Sequence, residues 1–180
     1  MQRLGRDTGT PPGATHAALE RSYTFNSVDE TCRFAASLAP HLNAGDAILL
    51  QGGLGAGKTH FARCVIQKRL ATFGLSEDVP SPTFTLVQTY WDTVVELWHC
   101  DLYRLSGADD AQELGIDEAF DAAICLVEWP DRLGDMTPPD ALSLTFQMTA
   151  DPGVRLVTAV SQDARWAELL DRCGFDDGHE

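Results

Sequence analysis

Basic side chains are scarce in this sequence. The 180 residues include 13 lysines and arginines against 27 aspartates and glutamates, which gives a formal net charge of −14. Proteins that bind nucleic acid tightly on their own present a broad positive surface to the phosphates. The composition therefore argues against independent, tight nucleic-acid binding, whereas binding to a basic protein surface stays open.

Long apolar runs are also missing. No stretch approaches the ~20 residues of a membrane-spanning helix, and the first residues lack the charged-then-apolar order of a signal peptide. We therefore expect a cytoplasmic protein without a membrane segment. A length of 180 residues suits one domain, because domains commonly contain ~100–200 residues.

The cysteines follow no recognisable pattern. They are Cys32, Cys64, Cys100, Cys125 and Cys173. Their number is odd, and the sequence has no C-x-x-C pair and no cluster of cysteine with histidine. We expect reduced thiols, mostly in the core. Cys100 lies between His99 and Asp101, but alternation along a strand would point its side chain away from both.

One glycine-rich stretch carries a complete phosphate-binding motif. Residues 47–59 read AILLQGGLGAGKT, and Gly52, Gly57, Lys58 and Thr59 occupy every fixed place of G-x-x-x-x-G-K-[ST]. A short apolar strand precedes the glycines and a helical pattern follows them, which is the context that this motif requires. Because the chain contains only one other lysine, the match does not arise from a lysine-rich background.

This P-loop predicts a polyphosphate site with ATP or ADP and Mg²⁺ as its cofactors. Backbone N–H groups and the N-terminus of the following helix would surround the phosphates. Lys58 would reach the β- and γ-phosphates, and the Thr59 hydroxyl would bind Mg²⁺. The residues expected to contact the nucleotide are Gly52, Gly53, Leu54, Gly55, Ala56, Gly57, Lys58, Thr59, His60, Thr83 and Arg104.

Two carboxylates follow predicted strands. Glu128 follows the apolar run at 122–127, and Asp101 ends the second strand of a hairpin predicted over 83–102. A P-loop ATPase needs such a carboxylate near Mg²⁺ and the attacking water. We therefore predict Lys58, Asp101 and Glu128 as catalytic residues, and both carboxylates, with Thr59, as metal ligands. Surface acids at strand ends are the competing interpretation.

Several neighbouring residues have two interpretations each. The loop 81–83 is either a nucleotide switch or a simple turn. Arg104 either reaches phosphate charge or forms a surface ion pair. His99 either orients Asp101 or is a satisfied core histidine. Trp129 either stacks on a partner or a ligand, or is a half-buried aromatic at a strand end.

The remaining pattern alternates helices and strands. Ser27 with Glu30 indicates a capping box at the start of a helix, and the helix after the P-loop should continue to Gly74. The segment 106–120 is predicted to be helical and divided at Gly115. A second hairpin follows over 141–160, and an amphipathic helix contains Trp166, Leu169 and Leu170.

Five motifs in order carry a family resemblance. They are GGLGAGKT, SPTFTLVQTY, HCDLYRL, ELGIDEAF and ICLVEWP. Over about residues 25–159 the chain resembles the bacterial TsaE (YjeE) family, the P-loop ATPase of tRNA threonylcarbamoyladenosine (t⁶A) biosynthesis. The resemblance implies an α/β fold, a three-layer α/β/α P-loop NTPase with a mixed, partly parallel central sheet and β-hairpins. Residues 21–172 would form this single domain, between a disordered arm at 1–20 and an acidic tail at 173–180.

The resemblance also implies function and partners. The family acts beside TsaB, TsaD and TsaC in placing threonylcarbamoyl on A37 of tRNA. It binds the TsaB–TsaD complex, and its Mg²⁺-dependent ATP hydrolysis resets that assembly between turnovers. Independent tight tRNA binding is not expected. Nine acids against one basic residue, Arg132, between residues 106 and 135 favour a basic protein partner, although a solvated helix surface has the same pattern.

Two positions depart from the family pattern. The family often has Asp where Gly53 stands, and a second Thr or Ser where His60 stands. His60 lacks the hydroxyl that could bond the α-phosphate, which implies weaker nucleotide affinity or an α-phosphate held by backbone alone. The roles of Lys58 and Thr59 survive both changes.

Two other functions remain as alternatives. A small-molecule P-loop kinase should carry additional arginines in a lid, but Arg104 is the one arginine between Pro80 and Pro130. A non-hydrolysing, nucleotide-dependent regulatory module would gate a complex without turnover. Asp101 and Glu128 favour hydrolysis over that second alternative, at a rate that stays slow until a partner orders the 81–83 loop.

Overall fold

A seven-stranded mixed sheet forms the centre of the protein, for which a computed structural model describes residues 19–175. Its strands are β1 (Leu19–Phe25), β2 (Ala47–Gln51), β3 (Val87–Trp91), β4 (Glu96–Asp101), β5 (Ile124–Glu128), β6 (Leu142–Met148) and β7 (Arg155–Ser161). Their order in the sheet is β1-β7-β6-β2-β5-β4-β3. Strands β6, β2, β5 and β4 run parallel, whereas β7 is antiparallel to β6 and β1, and β3 is antiparallel to β4.

Five α-helices cover the two faces of this sheet. They are α1 (Val28–Leu38), α2 (Lys58–Thr72), α3 (Ala108–Glu113), α4 (Ile116–Ala122) and α5 (Ala164–Cys173). Helices α1, α2 and α5 share one hydrophobic core with the sheet, and α3 and α4 share a second core on the opposite face. The expected three-layer α/β/α fold is confirmed. Within residues 19–175, no helix has the length and apolar character needed to cross a bilayer.

Strand β2 shows how the sequence builds two cores around one strand. Ile48 and Leu50 belong to the core under α1, α2 and α5. Ala47 and Leu49 belong to the core under α3 and α4. Successive side chains of a strand point to opposite faces, so a strand covered on both sides is apolar throughout. This burial fixes β2 in the centre of the sheet, with its carboxyl end at the P-loop.

Most predicted elements are confirmed within a few residues. Ser27 caps α1 by accepting a hydrogen bond from the Glu30 backbone N–H at 3.2 Å, although the Glu30 carboxylate bonds the Asn26 N–H instead of the Ser27 N–H. The predicted division at Gly115 separates α3 from α4, with a φ of +75° at the glycine. Both hairpins form, as β3–β4 and β6–β7.

Three boundaries were predicted wrongly. The first hairpin begins at Val87 and not at residue 83, because the chain turns before it and Leu86 has a φ of +66°. Leu19 and Glu20, assigned to the disordered arm, belong to β1, which pairs with the distant β7. Cys173, assigned to the tail, ends α5. The rest of the arm, residues 1–18, and of the tail beyond 175 lies outside the described residues.

The cysteines differ from the expectation of reduced thiols. Cys32 of α1 and Cys64 of α2 form a disulfide with their Cα atoms 5.3 Å apart. The two helices pack side by side, a contact between distant parts of the chain that sequence spacing does not reveal. Cys100 and Cys125 are free and buried, as expected. Burial raises the pKa of Cys125 to about 12 and that of Cys100 well above its usual range, so neither suits nucleophilic catalysis.

Candidate nucleotide-binding site

The glycine-rich loop joins the end of β2 to the start of α2. Gly52 has a φ of +135°, and a Cβ at this position would lie 2.4 Å from the carbonyl oxygen of Phe146, so only glycine fits. Gly57, with a φ of +114°, precedes α2 at a position where no side chain caps the helix. The first N–H groups of α2 are therefore free of a side-chain cap, which suits an anionic ligand.

An arginine from a strand distant in the sequence donates hydrogen bonds to the backbone of this loop. Arg155, the first residue of β7, donates from Nε to the Ala56 carbonyl oxygen at 3.0 Å and from Nη2 to that of Gly55 at 3.4 Å. A third bond reaches the Pro152 carbonyl oxygen at 2.7 Å. The role of Arg155 was not predicted, because about a hundred residues separate it from the loop and leave no local sequence signal.

Lys58 is buried within the loop that it follows. Its Nζ donates to the carbonyl oxygens of Gly52 at 2.7 Å and Gly53 at 2.8 Å. The same ammonium lies 4.3 Å from the ring centroid of Trp129, a cation–π contact. Burial lowers the pKa of Lys58, and two nearby carboxylates oppose that shift.

Thr59 and Glu128 meet directly. The Thr59 hydroxyl donates to Glu128 Oε2 at 2.8 Å, and the other carboxylate oxygen lies 2.8 Å from His99 Nε2. Glu128 and His99 are both buried. His99 thus contacts Glu128, and not Asp101 as one interpretation of the sequence had it. The reason is that β4 and β5 are parallel neighbours, so a β4 side chain reaches across to β5.

Asp101 is hydrogen-bonded to the loop that follows α2. Its Oδ2 accepts a hydrogen bond from the Thr83 hydroxyl at 3.0 Å, and its Oδ1 accepts one from the Tyr103 backbone N–H at 3.1 Å. The Ser81 hydroxyl lies 2.7 Å from that of Thr83. A carboxylate at the end of β4 is thereby joined to the loop that the sequence marked as a switch or a turn.

Arg104 binds the same loop through its backbone. Its guanidinium donates to the carbonyl oxygens of Thr83 at 2.9 Å and Phe84 at 2.5 Å. The Phe84 side chain is 87% exposed. Arg104 does not line the pocket beside the P-loop, and its role toward phosphate stays a prediction.

Trp129 has an unusual backbone conformation. Its φ of +59° is uncommon for a bulky side chain and occurs mainly where surrounding structure enforces it. Its ring lies 4.8 Å from that of Tyr103, with 50° between the ring planes. Both aromatic residues line the pocket. Tyr103 belongs to the motif HCDLYRL, but its role at the pocket was not predicted, because a lone tyrosine carries no specific signal.

These groups surround a pocket of about 390 Å³. It is lined by Leu54, Gly55, Ala56, Gly57, Lys58, Thr59, His60, Thr83, Asp101, Tyr103, Glu128 and Trp129. Most of the predicted nucleotide and catalytic residues are therefore neighbours in space. Gly52 and Gly53 lie beside it, where their carbonyl oxygens accept from Lys58.

The donor set matches a hard cation. The Thr59 hydroxyl and the carboxylates of Glu128 and Asp101 all offer oxygen, the ligand type that Mg²⁺ prefers. Two of these side chains already lie within 2.8 Å of each other. The residues present thus fit a Mg²⁺ ion beside a bound polyphosphate.

Comparison with known proteins identifies the family. The family model described as "Threonylcarbamoyl adenosine biosynthesis protein TsaE" matches residues 25–156. The chain belongs to the TsaE family. Two relatives named "tRNA threonylcarbamoyladenosine biosynthesis protein TsaE" are similar to it. The protein from Rickettsia conorii is 34% identical over 83% of this chain and 85% of its own length, and that from Bacillus subtilis is 36% identical over 68% and 75%.

A solved structure has a similar fold. The crystal structure of Bacillus subtilis YdiB superimposes with a TM-score of 0.69 and 28% sequence identity. The match covers 86% of this chain and 94% of YdiB. The fold described above is therefore that of a TsaE protein, with the P-loop at the carboxyl end of β2.

Proposed function

We propose that this protein is a Mg²⁺-dependent ATPase of the t⁶A modification pathway that binds the TsaB–TsaD complex and resets it between turnovers. The observation that carries the ATPase proposal is the hydrogen bond between the Thr59 hydroxyl and the Glu128 carboxylate, beside a complete P-loop. Membership of the TsaE family supports the pathway. The cytoplasm, where tRNA is modified, is the expected location.

The phosphates of ATP would replace contacts that the loop now makes with itself. Lys58 donates to two loop carbonyl oxygens, and a polyphosphate would offer it stronger, charged acceptors. The first N–H groups of α2 add partial positive charge. The Trp129 ring contacts the Lys58 ammonium through a cation–π interaction. The loop is thus shaped for phosphate before the nucleotide arrives.

Thr59, Glu128 and Asp101 would hold the Mg²⁺ ion. When bound, Mg²⁺ neutralises phosphate charge and fixes the phosphate oxygens for transfer. His99 fixes the Glu128 carboxylate through a bond of 2.8 Å in a buried setting. Asp101 is the group available to orient the attacking water, because it lies in the same pocket and ends the next strand.

The coupling to a partner would pass through the 81–83 loop. Thr83 contacts Asp101 through its hydroxyl, and Arg104 holds its carbonyl oxygen. A partner that displaced the exposed Phe84 would move these two contacts together. Slow hydrolysis by the protein alone, and faster hydrolysis in the complex, would follow from that arrangement.

The acidic face of α3 and α4 suits a basic protein surface. Glu113, Asp117, Glu118 and Asp121 are all exposed on these helices. Charge of one sign attracts an oppositely charged partner and repels tRNA phosphates. The proposed role therefore places this chain against protein and away from direct tRNA contact.

The pathway role is tested by reconstituting t⁶A synthesis. TsaC, TsaB, TsaD and substrate tRNA are combined with and without this protein, and t⁶A is counted per TsaB–TsaD complex. We expect synthesis to stop near one t⁶A per complex without the protein and to continue for many turnovers with it. Equal yields in both reactions would contradict the proposal, and phosphate transfer to an added small hydroxyl acceptor would favour the kinase alternative.

A further inference from the structure

A disulfide lies directly behind the nucleotide pocket. It joins Cys32 of α1 to Cys64 of α2, the helix that begins at the P-loop. His60 Nε2 lies 3.7 Å from Cys64 Sγ and 3.0 Å from the Val28 carbonyl oxygen. Ligand atoms of the two cysteines and His60 all lie within 4.8 Å of one another.

The two cysteine residues differ in exposure. Cys64 is 4% exposed, whereas Cys32 is only partly buried. A thiolate from solvent can therefore reach the Cys32 sulfur more readily. Attack there would release Cys64 as the thiolate, beside an imidazole that can donate a hydrogen bond to it. Exchange is favoured when the leaving thiolate is stabilised in this way.

We propose that Cys32 and Cys64 form a reversible thiol–disulfide exchange site whose state sets the affinity of the neighbouring pocket for nucleotide. The co-reactant is a small intracellular thiol of the glutathione class. The coupling to nucleotide rests on the proposed function. The exchange itself does not, because it depends only on the two sulfur atoms and their surroundings.

The reaction balances as two successive exchanges. One small thiolate attacks the Cys32 sulfur, which forms a mixed disulfide and releases the Cys64 thiolate. A second small thiolate attacks the small-molecule sulfur of that mixed disulfide and releases the Cys32 thiolate. Two small thiols are oxidised to one disulfide, the protein disulfide gains two electrons, and the two protons of the small thiols end on Cys32 and Cys64.

His60 connects this chemistry to the pocket. It follows Thr59 directly, and it both lines the pocket and touches Cys64. In the disulfide form the covalent bond ties α2 to α1 and His60 bonds Val28. In the dithiol form that tie is lost and the Cys64 thiol offers His60 a competing partner. We expect the disulfide form to bind nucleotide more tightly, because its phosphate-binding helix is already fixed.

The exchange is tested by counting thiols in the full-length protein. Samples equilibrated in oxidised or reduced glutathione are quenched in acid, unfolded and labelled with N-ethylmaleimide. The chain has five cysteines, so we expect five labels when reduced and three when oxidised, interconverting on transfer between buffers. Cys32→Ser and Cys64→Ser should abolish this change, whereas Cys173→Ser, a matched control at a free cysteine, should keep it.

The coupling is tested by titrating ADP into each form. We expect about fivefold tighter binding to the oxidised form, no difference in Cys32→Ser, and the full difference in Cys173→Ser. Oxidation should also raise the unfolding temperature reversibly in the absence of nucleotide. Equal ADP affinity of the two wild-type forms would overturn the coupling.

The outcomes separate this inference from the proposed function. If neither form binds ADP, the coupling and the nucleotide function both fail, while the thiol counts still decide the exchange. Thiols that stay reduced in oxidised glutathione, or a disulfide that reduced glutathione does not open, would overturn the exchange. Stoichiometric Zn²⁺ bound by the reduced protein, lost in Cys64→Ser and blocking oxidation, would overturn it too and make the cluster a metal site.

Discussion

The Lys58 ammonium has surroundings that suit the proposed phosphate ligand. It is 5% exposed and bonded to carbonyl oxygens of its own loop, and within residues 19–175 no carboxylate forms an ion pair with it. Burial lowers the pKa of Lys58, which shows that the charged form lacks full compensation there. A bound polyphosphate would supply the missing anionic charge.

We predict that Lys58→Ala lowers nucleotide affinity and ATP turnover together by at least about 100-fold. The change removes the ammonium group that lines the pocket and donates hydrogen bonds to the loop carbonyl oxygens. Lys68→Ala is the matched control, because Lys68 is exposed on the same helix. Isothermal titration with ATP and a phosphate-release assay measure both quantities. Near-normal values in Lys58→Ala would contradict the site assignment.

Asp101 should separate turnover from binding. Its carboxylate contacts Thr83 and the Tyr103 backbone, and it ends a strand beside Glu128. We predict that Asp101→Asn lowers kcat by about 100-fold with a change of only a few-fold in ATP affinity. Asp117→Asn, an exposed acid on α4, is the control. A loss of affinity as large as the loss of kcat would instead make Asp101 mainly a binding residue.

At this scale, the sequence predicts residues whose spacing is fixed locally. Lys58 and Thr59 follow from an uninterrupted motif, and Asp101 and Glu128 follow from the ends of apolar strands. The partner of His99 did not follow, because it depends on which strands are neighbours in the sheet.

At the scale of elements, the conformation of the P-loop depends on its close packing against the neighbouring strand β6. A Cβ at Gly52 would lie 2.4 Å from the Phe146 carbonyl oxygen, in a backbone conformation that other residues rarely adopt. We predict that Gly52→Ala lowers the free energy of unfolding by at least about 2 kcal/mol and displaces the loop. Gly53→Ala is the control, since nothing lies within 4 Å of its added Cβ. Chemical denaturation measures the free energy of unfolding of both variants. Equal values for Gly52→Ala and Gly53→Ala would contradict the steric explanation.

A buried ion pair joins the end of α2 to the β3–β4 hairpin. Arg69 Nε donates to Asp92 Oδ2 at 2.5 Å, and Arg69 Nη1 donates to the Leu42 carbonyl oxygen at 2.8 Å. Asp92 also accepts from the N–H groups of Val94 and Val95, both at 2.7 Å. Burial by itself raises the pKa of Asp92, but these hydrogen bonds and the guanidinium outweigh it and lower the pKa overall.

We predict that Asp92→Asn lowers the free energy of unfolding by about 3 kcal/mol near neutral pH, because it leaves Arg69 buried without its carboxylate. A carboxylate with a lowered folded-state pKa stabilises the fold above its unfolded pKa of about 3.9. That stabilisation is lost as the pH falls through the lower folded-state pKa.

The difference between wild type and Asp92→Asn should therefore shrink in acid. Urea denaturation at a series of pH values from neutral to acid measures it, with the exposed Asp78→Asn as control. A difference that stays constant down to the acid end would contradict the charge-based explanation and leave only a packing effect.

Elements with a strong local pattern were predicted correctly, and those that depend on distant partners were not. Helix α2 has its apolar spacing and P-loop start in one stretch. Within residues 19–175, strand β1 pairs only with β7, more than a hundred residues away, so local sequence predicts no strand for its first residues. The Cys32–Cys64 bond likewise requires that α1 and α2 lie side by side.

At the scale of the whole molecule, the sheet brings three strand ends together. Strands β2, β5 and β4 are parallel neighbours, so the P-loop, Glu128 and Asp101 meet at one edge. The 81–83 loop crosses the same edge and ends at the exposed Phe84. A partner bound there would contact the loop and the candidate nucleotide pocket at once, which would be the geometric basis for the partner-dependent turnover that we propose.

The most direct measurement is Mg²⁺-ATP hydrolysis by this protein alone and mixed with the TsaB–TsaD complex. Glu128→Gln is the paired variant, with circular dichroism to verify its fold. The account predicts slow turnover alone, strong stimulation by the complex, and loss of both in Glu128→Gln. Turnover that is indifferent to the complex, or unchanged in Glu128→Gln, would contradict the account.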